Sequence, residues 1–316
     1  MRWFARRLFE LAMVLLLVTF VTYALLDLLP GDPALTILGP GATPEAIAVV
    51  RDDLNLDAPL PVRYLQWLLN ALQGDLGVSY RTGEVVSVAL RERLPVSLEL
   101  GLLAQAMALA IAVPVGTWAG YRANRSFDKL SSAGAFGFVA MPQFVLGIVL
   151  ITVFGVWLGW FPVADYVPLS ESVAGNLHAM VLPALTLALP IAGLYTRVLR
   201  ADVAVSMQSD HVTMARASGL PTSRILTRHV LRGSSLGLLT IVGLSTGTLL
   251  GGAVVVERLF SLPGLGRLLF DSITSRDFVM VQGCVLVIAV FFVVVNLGVD
   301  ILQRVLDPRL RHPVTV

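Results

Sequence analysis

The residues best suited to chemistry in this chain form a basic segment at 210–232, between two hydrophobic stretches. Arg224, Arg228 and Arg232 recur every fourth residue, so a helix would place them along one face. Guanidinium groups donate charge-assisted hydrogen bonds to carboxylates, which suits such a face to docking a soluble partner. Arginines beside a membrane span can also act simply as a cytoplasmic anchor, and that alternative explains them adequately.

The first part of this segment carries the signals of a short helix. Ser209 or Asp210 can cap its start, the helix can run to Ala217, and Gly219 is placed to end it. Ala215 and Ala217 are small, and small side chains would let a short helix seat deeply in a groove of a partner. The anchor alternative does not explain these features, so the segment is interpreted as a docking element.

Motifs for catalysis or energy conversion are missing from the sequence. The single lysine, Lys129, follows Asp128, so there is no Gly-Lys-Ser/Thr phosphate loop. The four histidines form no His-Glu-x-x-His pair, and no Gly-x-Ser-x-Gly nucleophile turn occurs. We therefore expect no enzymatic activity, no catalytic residue, no metal site and no bound cofactor in this chain.

The composition shows what kind of scaffold must hold the docking element. Of 316 residues, 56% are hydrophobic and 14% are charged, against about 25% charged residues in soluble domains. A lipid bilayer must therefore solvate much of the chain. The single cysteine, Cys284, excludes an internal disulfide and is expected to be packed within the membrane. A net charge of +2 gives no reason to expect a nucleic-acid partner.

Six hydrophobic segments are long enough to cross the bilayer as helices, which takes roughly 20 residues each. They lie at 9–29, 97–121, 133–158, 180–200, 235–256 and 279–302. The predicted fold class is an all-α polytopic membrane protein with six transmembrane helices. No charge lies near the middle of any span, whereas ion- or proton-coupled carriers commonly have one there. Energy for any transport is therefore expected to come from outside the membrane.

Arginine placement predicts the orientation of the spans. The basic residues concentrate at both chain ends and in the loops around 122–130 and 197–232. By the positive-inside rule these regions are cytoplasmic. Residues 30–96 then form a small, mostly helical extracytoplasmic segment.

Two helices are predicted inside that segment. One starts at Pro44 after Thr43, and the second runs over 61–73 and ends at Gly74. The second has an apolar stripe, and its Tyr64 and Trp67 suit a membrane interface. The segment could be a cap on the bundle or a surface that receives a delivery protein, and the sequence leaves both open.

Met141, Pro142 and Gln143 lie early in the third span and are candidate pathway or gate residues. Proline lacks a backbone N–H and disfavours helix in the residue before it, so a kink is expected here. A kink that only aids packing is the alternative to direct contact with a transported solute.

The pattern Thr213-Met214-Ala215-x3-Gly219 resembles a degenerate EAA loop of bacterial ABC-importer permeases. In that family the loop forms a coupling helix that docks on the ATP-hydrolysing subunit. Thr213 and Met214 stand where the motif has Glu and Ala, and Arg232 stands where many members have Pro. The coupling-loop residues implied by the resemblance are Asp210, Thr213, Met214, Ala215, Arg216, Ala217, Gly219, Arg224 and Arg228.

Other segments, in order along nearly the whole chain, resemble permeases for dipeptides and oligopeptides. They are Arg6-Arg7-Leu8, Leu28-Leu29-Pro30-Gly31-Asp32-Pro33, Leu60 to Tyr64, Gly74 to Ser79, Glu257 to Leu269, and Leu306-Asp307-Pro308-Arg309. The resemblance implies the type I ABC-importer transmembrane fold and a short amphipathic helix near 265–272. It divides the chain into 1–29, the 30–96 segment, a 97–305 core with the coupling loop at 201–232, and a cytoplasmic tail at 306–316.

The resemblance also implies a function and a set of partners. The chain would be the permease subunit of an ATP-driven, binding-protein-dependent importer in the bacterial plasma membrane. Its partners would be a second homologous permease in a heterodimer, two ABC ATPases that hold ATP and Mg²⁺, and an extracytoplasmic binding protein. Dipeptides or oligopeptides are the expected cargo, with nickel or another small solute as the alternative. An ATP-independent carrier or channel and a membrane scaffold are the rival classes.

Overall fold

The computed structural model describes residues 2–27, 33–39, 41–53 and 55–306. Within these ranges the regular structure is helical, apart from an isolated antiparallel bridge between Val78 and Val85. The predicted all-α class is confirmed. Two predicted features fall partly outside the described residues. They are the motif at 28–33, of which 28–32 are not described, and the cytoplasmic tail at 306–316, of which 307–316 are not described.

The α-helices are numbered here along the chain. They are α1 Arg2–Asp27, α2 Pro33–Leu38, α3 Pro44–Asp53, α4 Leu60–Leu72, α5 Val86–Tyr121, α6 Ser126–Ala140, α7 Gln143–Leu150, α8 Val173–Ser206, α9 Asp210–Ala217, α10 Thr222–Arg224, α11 Leu231–Leu259, α12 Leu265–Thr274 and α13 Phe278–Leu306. Two π-helical segments complete them: Ile151–Trp157 continues α7, and Ile225–Val230 lies between α10 and α11.

Four described helices are long and apolar enough to span a membrane without a break: Arg6–Leu25, Val86–Tyr121, Val173–Ser206 and Phe278–Ile301. Two further spans exist if each bent pair counts as one. Ser126–Ala140 and Gln143–Trp157 meet at 108°, and Thr222–Ser235 and Gly237–Gly247 meet at 52°. The six predicted segments therefore all appear as apolar helix.

The third predicted span is not one continuous helix over 133–158, and the break falls where proline was expected to bend it. Met141 is extended, with ψ 127°, and Pro142 stands at the N-cap position of α7. Because proline pushes the preceding residue out of the helical region, the helix must stop at Ala140. The bend of 108° is far larger than a simple kink.

The chain divides into two compact units, Met1–Ser97 with Pro263–Val294, and Leu98–Leu262 with Val295–Val316. In the first, the start of α5 packs on α12 and α13 through a cluster that includes Val86, Leu90, Leu268 and Cys284. Cys284 is fully buried, as expected. Helix α12 confirms the short helix predicted near 265–272.

In the second unit α8 is central and contacts α6, α7 and α11. Glycines allow these close approaches. A Cβ on Gly120 of α5 would lie 2.7 Å from the backbone oxygen of Arg200, and one on Gly193 would lie 2.7 Å from that of Ala135. Small residues let membrane helices approach at backbone distance, so packing here depends on them.

Candidate functional site

Helix α9 confirms the predicted short helix and its stop. The N–H of Leu220 donates to the carbonyl of Ala215, at 3.2 Å, and that of Gly219 donates to Arg216, at 3.0 Å. Gly219 has φ +73°, so these bonds form a complete Schellman motif. The expected side-chain cap is absent at the other end, because the Ser209 hydroxyl donates backwards to the Ser206 carbonyl, at 2.5 Å.

Helix α9 has one buried face and one exposed face. Val212 and Ala215 are buried, and α9 contacts the π-helical segment Ile225–Val230. Of the predicted coupling residues on this loop, Asp210, Thr213, Met214, Arg216, Ala217 and Gly219 are all exposed. Met214 is 72% exposed. The helix thus presents a mixed apolar and basic surface.

Arg224, Arg228 and Arg232 are all exposed beyond α9. The predicted α-helical spacing is wrong in detail, because the backbone from Ile225 to Val230 is π-helical. A π-helix has more residues per turn than an α-helix, and here it buries Ile225, Leu226 and Val230 beneath the arginines. Nothing in the sequence signalled this segment. π-helical segments in proteins are often found at functional sites.

Of the candidate gate residues Met141 to Gln143, Gln143 lies against α11, away from α9. The side-chain amide of Gln143 occupies the space beside Gly252, where an added Cβ would be 2.6 Å from Oε1. At Gly251, the preceding residue, an added Cβ would meet no atom within 4 Å. The structure does not bring the candidate gate residues together with the coupling loop. Helix α11 connects them, since it begins beside the arginines and passes Gln143 at Gly252.

An ion pair that the sequence reasoning did not identify joins α6 to α8. Asp128 accepts hydrogen bonds from Nε and Nη2 of Arg200, at 2.8 and 2.5 Å. The backbone N–H of Asn124 also donates to this carboxylate, at 2.7 Å. Arg200 lies in the part of α8 that leads to α9, so the pair positions the approach to α9. Its one signal in the sequence is an acidic residue inside a basic loop.

A second missed feature is a hydrogen-bond chain through three spans. The Gln105 amide of α5 donates to the Tyr195 hydroxyl of α8, at 2.8 Å, and Tyr195 bonds the Ser245 hydroxyl of α11. The Tyr195 hydroxyl also lies 3.1 Å from the Gln105 carbonyl oxygen, and Ser245 donates to the Val242 carbonyl, at 3.0 Å. Tyr195 is fully buried, and such a satisfied chain fixes the helices relative to one another.

The helical fold and the exposed loop between apolar helices define a polytopic membrane protein. Residues 112–312 match the family model described as binding-protein-dependent transport system inner membrane component, and residues 1–101 match its N-terminal companion. The chain belongs to this family, whose description names a substrate-binding protein and the inner membrane. Its character as a multi-pass permease is thereby established. That it has no enzymatic activity and no cofactor of its own stays a prediction.

Individual proteins agree with this assignment over nearly their full length. A protein of Brucella abortus (strain 2308) named as a peptide transport system permease is 40% identical over 97% of this chain and 98% of its own. The glutathione transport system permease of Salmonella typhimurium (strain LT2) is 35% identical over the same shares.

A solved inward-facing structure of the MetNI methionine ABC transporter supports the fold. One of its chains matches with a TM-score of 0.55 at 18% identity, over 69% of this chain and 96% of that one. The predicted type I importer fold is thereby confirmed. The roles of the individual loop and gate residues stay predictions.

Proposed function

We propose that this chain is a permease subunit of an ATP-driven importer of short peptides. The observation that carries the proposal is 40% identity, over 97% of the chain, to a protein named as a peptide transport permease. The geometry of α9 supports it, because a short helix with an exposed face suits docking between a membrane subunit and an ATPase. ATP and Mg²⁺ would then be held by the ATPase subunits.

The proposed assembly contains two permease chains, two ATPase subunits and an extracytoplasmic binding protein. The second permease is proposed to be a homologue, giving a heterodimer. Both chain ends and the 197–232 loop would face the cytoplasm, as the distribution of arginines predicts. The pathway would then open alternately to either side of the membrane.

The mechanism is alternating access driven by the ATPase. Closure of the ATPase pair on ATP would move α9, and α11 would carry that motion toward Gly252 and Gln143. Docking can shift the transport equilibrium only if α9 binds one arrangement of the ATPase more tightly than the other. The bend at Pro142 would change during this motion. The contact between α7 and α11 would change with it and so gate the pathway.

Reconstitution tests this function. The chain is purified with its partner permease, ATPases and binding protein, and uptake into vesicles is measured with dipeptides, a longer peptide, glutathione and Ni²⁺. We expect peptide uptake that requires ATP, with ATPase activity stimulated by loaded binding protein. Uptake by this chain alone without ATP would establish a carrier or channel, and uptake of Ni²⁺ alone would move the chain to another substrate class.

A further inference from the structure

Helix α4 packs against the apolar helix α1. The Tyr64 hydroxyl donates to the Leu16 carbonyl, at 3.2 Å, and bonds the Thr19 hydroxyl, at 2.8 Å. Leu16 stands near the middle of the Arg6–Leu25 span. The nine residues from Leu16 to Leu25 correspond to about 13 Å of helix. Because a bilayer half is about 15 Å of hydrocarbon, Tyr64 reaches well below the interface.

The next turn of α4 places it at the membrane boundary. The rings of Trp67 and Tyr23 are 6.0 Å apart, and Tyr23 is two residues from the end of the α1 span. Trp and Tyr side chains favour this level of a membrane, where one end is apolar and the other is wet. Tyr64 is 7% exposed and Thr19 is 3% exposed, so their hydroxyls satisfy each other away from water.

The rest of the helix surface is divided into two faces. Val62, Leu65, Leu69 and Leu72 recur at intervals of three or four residues and are exposed, Leu72 by 77%. This set is named the leucine face. A different side of the helix carries Arg63, the only charged residue of α4, together with Gln66 and Asn70. These three line a cavity of about 290 Å³ with Tyr23 and Trp67.

We propose that the leucine face of α4 is a lipid-binding surface that inserts among the acyl chains of the leaflet beside Leu25. The face carries no charge and adjoins α1, whose own side chains, such as Leu17 and Leu25, are exposed. An amphipathic membrane helix buries its apolar side among the acyl chains and keeps its polar side toward the headgroups and water. The polar side then faces water and holds the cavity at the membrane surface. The proposal uses only α1 as a span and does not depend on peptide transport.

Spin labelling in vesicles tests this surface. In a Cys284→Ala background of the complete transporter, nitroxides are attached at Leu69→Cys and Leu72→Cys. The matched control is Asn70→Cys on the polar side, and Leu17→Cys on α1 is the lipid reference. Vesicles of phosphatidylethanolamine and phosphatidylglycerol are used without added binding protein. Collision rates with oxygen, which partitions into lipid, and with a water-soluble nickel chelate are then measured.

We expect positions 69 and 72 to match position 17, with high oxygen and low chelate accessibility, and position 70 to show the reverse. Chelate accessibility at 69 and 72 equal to that at 70 would overturn the proposal. Shielding of 69 and 72 from both reagents would also overturn it, because a protein subunit would then cover the face. Loss of oxygen accessibility when binding protein is added would assign the face to protein docking instead.

Discussion

Asp128 and Arg200, 72 residues apart in sequence, form a two-point ion pair that joins the start of α6 to the end of α8. The carboxylate is buried and the guanidinium is one-third exposed. A bidentate pair fixes orientation as well as distance. It therefore positions the segment that leads from α8 to α9.

Replacing Arg200 by Lys should destabilise the protein, because lysine cannot donate two parallel bonds to the carboxylate. We expect a loss of about 1–2 kcal/mol, below the range for fully buried pairs because Arg200 is partly exposed. Thermal unfolding of the purified transporter in detergent measures it. Arg125→Lys is the matched control and should have no effect on stability. Arg125 is an exposed arginine in the loop around 122–130, which contains Asp128. Equal stability of the two variants would contradict a positioning role.

Replacing Gly219 by Val should uncouple transport from ATP hydrolysis. A β-branched residue at φ +73° is strained by roughly 1–3 kcal/mol, so the Schellman stop of α9 should be lost. No atom lies within 4 Å of an added Cβ, so the effect is one of backbone conformation. Gly219→Asn is the control, since Asn tolerates the left-handed region. Peptide taken up per ATP hydrolysed is measured, and a normal ratio in the valine variant would contradict the assigned role.

Replacing Gly252 by Ala should displace the Gln143 side chain and slow uptake. The added Cβ would lie 2.6 Å from Oε1 of Gln143. Gly251→Ala is the matched control, because its added Cβ meets nothing within 4 Å. The added Cβ clashes only with the end of the Gln143 side chain. Shortening that side chain by Gln143→Ala should therefore restore packing in the Gly252→Ala background. Additive effects in this double-mutant cycle would show that the two positions are not coupled.

Replacing Tyr195 by Phe should remove the hydroxyl that links Gln105 to Ser245, while Ser245 keeps its bond to the Val242 carbonyl. We expect a destabilisation of about 0.5–1.5 kcal/mol, the net contribution of a typical hydrogen bond. Tyr121→Phe, whose hydroxyl makes no hydrogen bond with the described residues, serves as control. Thermal unfolding of both variants is compared, and unchanged stability of Tyr195→Phe would mean that the chain of hydrogen bonds contributes little.

Replacing Met214 by Glu should weaken ATPase association without unfolding the permease. Met214 is 72% exposed, so a charge there is solvated in the free chain but buried at the proposed interface. Co-purification of the ATPase subunits measures the effect. Leu130→Glu, at a similarly exposed position outside the 201–232 loop, is the control for surface charge. Full retention of ATPase by the Met214 variant would place the docking surface elsewhere.

Much of the fold could be predicted because each span forms through interactions between residues that are close in sequence. Twenty apolar residues must form a helix in lipid, where every backbone group needs an internal partner. The end of α9 was equally local, since Gly219 supplies a left-handed residue that few others adopt. The break before Pro142 was predictable in position for the same reason, but its angle depends on the neighbours that receive α7.

By itself, the sequence determined the all-α membrane class, the positions of the apolar helices, and the place and limits of α9. These follow from composition and from interactions within a few residues. Only the tertiary structure decided that Asp128 meets Arg200, that Gln143 lies at Gly252, that Tyr195 links three spans, and that α4 packs on α1. Each of these joins residues distant in the chain, and their partners are set by helix packing, for which apolar periodicity carries no signal.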